Sequence, residues 1–236
     1  MRIRTLASIT VVPLIAAMLV GCNTGNHSDV MAEPKSVAAS ADGDLPEVLV
    51  IGDSISIGYF EPTKELLAGT AEVHHNPGNA RHSTYGLAHL DDWLGDTSWD
   101  VIHFNHGLHD LKYVNEAGQL VPVSEGTQQI GLDEYARNME ELVKRLKRTG
   151  AVLIFATTTP VPAGARGRIQ GDAEKYNAAA KLVMRRHGVQ INDLYAFALP
   201  RLDAIQRPAN VHFTPEGSRQ LAERVAAGIR DALQSR

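Results

Sequence analysis

An open α/β domain, a parallel sheet covered on both faces by helices, is the fold class that the sequence predicts for residues 46–236. Three observations carry that prediction. Short apolar runs recur at VLVIG (48–52), AEVHHN (71–76), WDVIHFN (99–105), AVLIFATTT (151–159) and VQIND (189–193). They are bounded by turn residues, as strands buried on both faces are. Helix-length segments separate them, which is the spacing of crossover connections between parallel strands. Finally, 44% hydrophobic and 21% charged residues in a chain of 236 suit one sizeable core with an appendage.

The appendage comes first. Met1-Arg2-Ile3-Arg4 is a short basic stretch, and LASITVVPLIAAMLV (Leu6–Val20) is almost wholly apolar. That run falls short of the about 20 residues a spanning helix needs, so it reads as a secretory signal over residues 1–21. It ends in LVGC (Leu19–Cys22), which resembles the lipobox of bacterial lipoproteins, where cleavage precedes a cysteine that takes a diacylglyceryl group. Cys22 is the only cysteine, so no intrachain disulfide can form and a lipid acceptor is the economical reading. The blander readings are an ordinary signal with an incidental cysteine and an uncleaved anchor. The resemblance implies a protein of the bacterial cell envelope, in the outer membrane or on a periplasmic face, touching membrane through its lipid alone. Asn23 after the cysteine leans towards the outer membrane in that pattern. Residues 22–45 are small, polar and aperiodic, a tether with no apolar face to bury. A formal charge of −4 and a pI near 6.2 give no global reason to expect nucleic acid as a partner.

Within the domain the clearest helix runs from Leu132 to Thr149. Leu132, Tyr135, Met139, Leu142, Val143 and Leu146 form its apolar stripe, Asp133 and Glu134 open it, Lys147 and Arg148 close it, and Gly150 stops it. The last helix begins at Thr214-Pro215, a cap followed by an N1 proline, with Leu221, Val225, Ile229 and Leu233 at spacing four. Weaker helical patterns cover Ser83–Leu94 and Asp172–His187.

Working residues of open parallel sheets collect at the carboxyl ends of the strands. The first three strands end in Gly52-Asp53-Ser54-Ile55, Asn76-Pro77-Gly78-Asn79 and Gly107-Leu108-His109-Asp110, and His212 precedes the Thr214 cap by two residues. All four therefore fall on one edge. A serine attacks a carbonyl only with a base in reach and donors for the oxyanion, and Ser54 with His212 supplies the first pair. Glycines at 78 and 107 let backbone or substrate approach closely. Taken singly, each piece has a plainer explanation: GDS is a common turn, and most lone histidines are surface or satisfied core groups.

Together and in this order, VLVIGDSISIG, NPGN, GLHD and VHFTPEGSRQLAERV resemble the four blocks of the SGNH or GDSL hydrolase superfamily, over nearly all of residues 46–236. The resemblance implies a flavodoxin-like three-layer α/β/α sandwich with a parallel five-stranded sheet. It implies Ser54 as nucleophile and oxyanion donor, Gly78 as a second donor and His212 as general base, with no cofactor and no metal. Asp53, Asn79, Arg81 and Asn105 are candidate substrate contacts. The chain departs from the family pattern twice. His109 stands where the family keeps an asparagine that donates to the oxyanion, a role an imidazole N–H can fill. The family's aspartate, three residues before the histidine, is replaced by Ala209, which leaves Asn210, Asp193 or a backbone carbonyl to orient His212.

The expected activity is that of a serine esterase or deacylase acting on small O-acyl esters, carbohydrate O-acetyl esters among them. One alternative is a catalytically degenerate, glycan-binding lipoprotein of the same fold. The other is a metal-binding protein using His103, His106, His109 and Asp110, although residues 103 and 106 of an extended strand point to opposite faces. His74 and His75 read as packing residues, and Tyr113 with residues 115–131 as a crevice wall. Pro160–Gly171 is a flexible basic stretch that fits a lid or a plain surface loop.

Overall fold

The computed structural model describes residues 44–236. The basic start, the apolar run, the LVGC segment with Cys22, and the tether up to residue 43 lie outside the described residues. No helix among the described residues is long and apolar enough to cross a membrane.

The chain runs β1 (Glu47–Ile51), α1 (Ser54–Leu66), β2 (Glu72–His75), α2 (Ser83–Leu94), β3 (Val101–Phe104), β4 (Tyr113–Val114), β5 (Thr127–Gln128), α3 (Leu132–Lys147), β6 (Val152–Ala156), α4 (Asp172–His187), β7 (Gln190–Asn192), α5 (Leu194–Ala198), α6 (Leu202–Ile205) and α7 (Pro215–Gln234). The main sheet has five parallel strands in the order β2-β1-β3-β6-β7. Helix α1 packs against α7, while α3 packs against α2 and α4, giving a helical layer on each side. This is the parallel sheet covered on both faces that the strand and helix pattern predicts, and the three-layer α/β/α sandwich that the resemblance implies.

The central strands are buried end to end, Val48–Ile51 and Val101–Phe104 being almost wholly excluded from water. Such strands carry no polar alternation because helices cover both faces. The register sets Val48 beside Val101 and Ile51 beside Phe104, so β1 and β3 end level with each other. The strand order reverses at this pair, and in open α/β sheets the crevice outside such a switch point is where ligands bind.

Helix α3 buries the predicted stripe of Tyr135, Met139, Leu142, Val143 and Leu146 but ends at Lys147, short of the expected Thr149. Gly150, at φ 80°, turns the chain into β6. Helix α7 starts as expected, Thr214 Oγ1 accepting from the Gly217 N–H at 3.0 Å. Two regions hold more structure than the sequence suggests. Residues 113–128 form a small hairpin because Asn115 Oδ1 accepts from the N–H groups of Ala117 and Gln119, closing a turn on Gly118. The segment after β7 winds into α5 and α6, the first capped by Asp193.

Candidate active site

At the end of β1 the chain turns sharply into α1, and every support of that turn is buried. Asp53 Oδ1 accepts from the Ile55 N–H at 2.9 Å as the N-cap of α1, and the Asp53 carbonyl accepts from Ser56 Oγ at 2.7 Å. Gly52 donates its N–H to Asn76 Oδ1 at 2.8 Å. A Cβ on Gly52 would lie 2.7 Å from Ser56 Oγ, so only glycine fits. The turn lifts Ser54 to the edge of the sheet, where it is half-buried.

Beside this turn runs the loop after β2. Asn76 donates from Nδ2 to the Gly78 carbonyl at 3.2 Å, and Ala80 donates its N–H to the Gly52 carbonyl at 2.9 Å. One buried asparagine thus ties both loops together. Gly78 is exposed, at φ 64°, with open space where a Cβ would stand. Asn79 Oδ1 accepts from the Arg81 N–H at 2.8 Å and shapes the loop, while exposed Arg81 lays its guanidinium over Tyr85 with Cζ 4.7 Å from the ring centroid.

His212 arrives from the other side on residues 206–214. Gln206 and Phe213 pair as an isolated bridge, and Arg207 donates its N–H to the His212 carbonyl at 3.0 Å. The ring meets Ser54 directly, Nε2 lying 2.9 Å from Oγ. Behind it, Asn210 Oδ1 lies 2.8 Å from His212 Nδ1 and 2.9 Å from the His212 backbone nitrogen. A backbone N–H only donates, so the asparagine atom facing it is the oxygen, and Nδ1 must then carry the ring proton. Nε2 is left as the acceptor facing the serine hydroxyl. The line Asn210–His212–Ser54 therefore has the polarity needed to draw a proton off Oγ.

Of the three orienters that the sequence leaves open, the structure brings Asn210 to the ring. Asp193 is engaged elsewhere, accepting from Thr157 Oγ1 at 2.9 Å, Lys181 Nζ at 2.6 Å and the Ala196 N–H at 3.1 Å. Ala209, in the position of the family's aspartate, sits at φ 51° with its Cβ directed at Gly164. Burial lowers the pKa of His212, the Asp53 carboxylate opposes that shift, and Arg207 and Arg168 add to it. The carboxylate that the imidazole feels thus comes from beside the serine and not from its own loop.

The third loop begins after β3. Gly107, at φ 152°, passes so close to Thr158 that a Cβ would fall 1.9 Å from Oγ1. Tyr135 and Thr158 donate their hydroxyls to the His106 carbonyl, at 2.9 and 3.0 Å. Asp110 is fully buried and accepts from the Ser83 N–H at 2.8 Å and from the Ser83 hydroxyl. Burial pushes its carboxyl up to about 7. His109 is half-buried, with Lys112 Nζ 3.4 Å from its Nδ1. An ammonium has no lone pair, so Nδ1 accepts and Nε2 carries the proton. Burial, with Lys112 and Arg168 nearby, pushes this histidine down to about 3, so it stays a neutral N–H donor.

One candidate contact needs correction, and a second has a protein partner. Asp53 is 2% exposed and caps α1, so it underlies the site and does not face a substrate. Asn105 gives its amide N–H to the Ala156 carbonyl at 2.7 Å, linking the ends of β3 and β6. Pro160–Gly171 is not a flexible stretch: Gln206 Nε2 donates to the Pro160 carbonyl at 3.0 Å, and Gly167 accepts from the Tyr113 N–H at 2.7 Å. It is a strap held on the His212 loop at one end and on β4 at the other. The histidines in and after β3 have separate partners. His103 is buried in the core, 3.5 Å from Asn192 Nδ2, and His106 Nδ1 lies 3.3 Å from the Arg81 carbonyl. No group of three metal-ligating side chains converges among the described residues.

Three positions that support these loops escape a reading of the sequence. Asn76 stands within NPGN, where its neighbour Gly78 draws attention first. Lys112 and Arg168 belong to no periodic pattern. Arg168 is half-buried, and its Nε donates to the Leu108 carbonyl at 3.1 Å, next to His109.

Known structures share this architecture. An acetyl xylan esterase, AlAXEase, superposes with a TM-score of 0.63 at 16% identity, over 78% of this chain and 99% of that one. The lipase/acylhydrolase from Enterococcus faecalis gives 0.65 at 20% identity, over 79% and 96%. Axe2, an acetylxylan esterase from Geobacillus stearothermophilus, gives 0.64 at 18% identity, over 78% and 94%. At these identities the likeness speaks for the fold. No curated protein matches the sequence significantly. The model of the GDSL-like lipase/acylhydrolase family matches residues 50–220, a span that begins within β1 and takes in Ser54, Gly78, His109 and His212; the chain belongs to this family and is a carboxylic ester hydrolase.

Proposed function

We propose that this chain is a serine esterase that removes small acyl groups, acetyl among them, from carbohydrate hydroxyls. The observation that carries the reading is the Asn210–His212–Ser54 line, with contacts of 2.8 and 2.9 Å. In this reading His212 Nε2 takes the proton of Ser54 as Oγ attacks the ester carbonyl. The oxyanion meets the backbone N–H groups of Ser54 and Gly78 and the Nε2–H of His109. His212 then gives its proton to the departing alcohol, and water repeats the sequence on the acyl-enzyme. Asparagine fixes the tautomer without the charge that would stabilise the imidazolium, which suits easy esters better than amides. The carbohydrate assignment takes support from the fold shared with two acetyl xylan esterases.

Hydrolysis of p-nitrophenyl acetate by residues 44–236 should be lost in Ser54→Ala; equal turnover in the variant would place the chemistry elsewhere. The protein acts in the cell envelope in this reading, tethered through a lipidated Cys22. Labelling with tritiated palmitate in a bacterial host should disappear in Cys22→Ser, and persistent labelling would remove the anchor from the proposal.

A further inference from the structure

The loops after β2 and β3, the strap and the loop of His212 each carry a cation. Arg81 follows Gly78 and Asn79. Lys112 Nζ stands 3.4 Å from His109, and Arg168 Nε holds the carbonyl of Leu108 at 3.1 Å. Arg207 pairs its backbone with His212 at 3.0 Å. None of the four enters an ion pair among the described residues, where the ion pairs involve other side chains. They are close enough to oppose one another's charge: Arg168 and Arg81 both act on Lys112, and Arg168 and Arg207 both act on His212.

The carboxylates nearby offset this charge from below: Asp53 acts on Arg168 and Asp110 on Lys112. Neither forms an ion pair among the described residues; both are buried beneath the loops, each with one oxygen accepting from Ile55 or Ser83, and burial raises the pKa of both. Glu134, which acts on His82, holds the hydroxyl of Thr84. A chain of net charge −4 therefore carries four cations without a salt bridge on the loops beside the site, Arg81 among them stacked on Tyr85. Lys112 and Arg168 are partly withdrawn from water, a cost that a protein recovers when an anion sits opposite.

We propose that the crevice selects esters whose alcohol portion bears a carboxylate, as an O-acetylated uronic acid unit does. The inference rests on the esterase reading and adds its substrate class. Arg168 and Arg207, flanking His212, receive the carboxylate. Lys112 and Arg81 extend the positive field along the side of the crevice formed by the loops after β2 and β3.

The test uses a matched pair, 4-acetoxybenzoate and its methyl ester, which share the acetyl ester and differ in one charge. Rates are normalised to hydroxide hydrolysis of each compound, which removes the difference in leaving group. At about 20 mM salt the normalised kcat/KM should favour the acid by about tenfold or more, the scale on which a focused field raises substrate encounter. At about 500 mM salt, where the Debye length falls to about 4 Å, the preference should shrink several-fold while the neutral ester is little affected. Arg168→Gln and Arg207→Gln should each reduce the preference, read as the ratio of the two normalised kcat/KM values within the same variant. A normalised ratio of one or less at low salt, or a preference indifferent to salt, overturns the proposal while leaving the esterase reading intact. Failure of the wild type to hydrolyse either ester would overturn both. The salt series uses wild-type protein, so the answer does not depend on how the variants fold.

Discussion

Ser54 and His212 meet at 2.9 Å from differently built ground. On the serine side the supports lie inside the protein: Asp53 and Asn76 are each 2% exposed, and both are hydrogen-bonded to the backbone of the turn. On the histidine side the support is at the surface, since Asn210 is exposed and so are its neighbours from Arg207 to Ala209. Hydrogen bonds in a dry interior cannot be exchanged for water, so removing one there leaves an orphaned group. At the surface, water replaces a lost partner. The serine half should therefore couple catalysis to stability, and the histidine half should let the rate change while the fold stays as it is.

The largest expected effect is on chemistry alone. Ser54→Ala should lower kcat by about a thousandfold or more, as loss of a nucleophile does. Its melting midpoint should stay near that of the wild type, because no hydrogen bond of the turn uses the Ser54 hydroxyl. A large fall in midpoint would mean that Ser54 belongs to the buried frame. Next comes Asn76→Ala, which strips the Gly52 N–H and the Gly78 carbonyl of their partner. Urea denaturation should show a loss of about 1–3 kcal/mol, and kcat should fall with it. Unchanged stability would erase the distinction between the two halves.

The smallest of these effects in free energy is on the exposed side. Asn210→Asp puts a carboxylate at the 2.8 Å contact with Nδ1, which should raise kcat by about tenfold, part of what a triad carboxylate provides. The pH dependence has a definite sign. His212 must be neutral to accept the serine proton, and burial lowers its pKa, so the acid limb of wild-type kcat/KM lies below the ordinary histidine value of about 6.5. A carboxylate favours the imidazolium and raises that pKa, so the limb should move to higher pH in the variant. A limb that stays in place would show that position 210 does not govern the ring.

The strands and helices were legible because their causes are local. Val48–Ile51 and Val101–Phe104 announce buried strands by composition, and Thr214-Pro215 announces a helix start by the chemistry of capping. Helix α1 was less plain, since Gly58 and Pro62 interrupt its pattern. Ser54, Gly78, His109 and His212 each stand at the end of a strand or the mouth of a helix, where neighbours in sequence mark the edge, and the structure brings Ser54 and His212 to 2.9 Å. Asp53 and Asn105 stand in the same kind of place, yet their side chains turn to the α1 backbone and to Ala156. Proximity in sequence places a residue at the edge without saying which way its side chain faces.

The sequence by itself determined the layered α/β domain, the edge on which its chemistry sits and the pairing of a serine with a histidine 158 positions away. These depend on periodicity, turn chemistry and the order of elements along the chain, all of which are written in one dimension. Only the tertiary structure decided that Asn210 holds His212, that Asn76 joins two loops, and that Pro160–Gly171 lies fastened beside the site with Arg168 half-buried in it. Each of these depends on the distance and direction between atoms on separate segments. A hydrogen bond forms or fails over a few tenths of an ångström, which spacing along the chain does not specify.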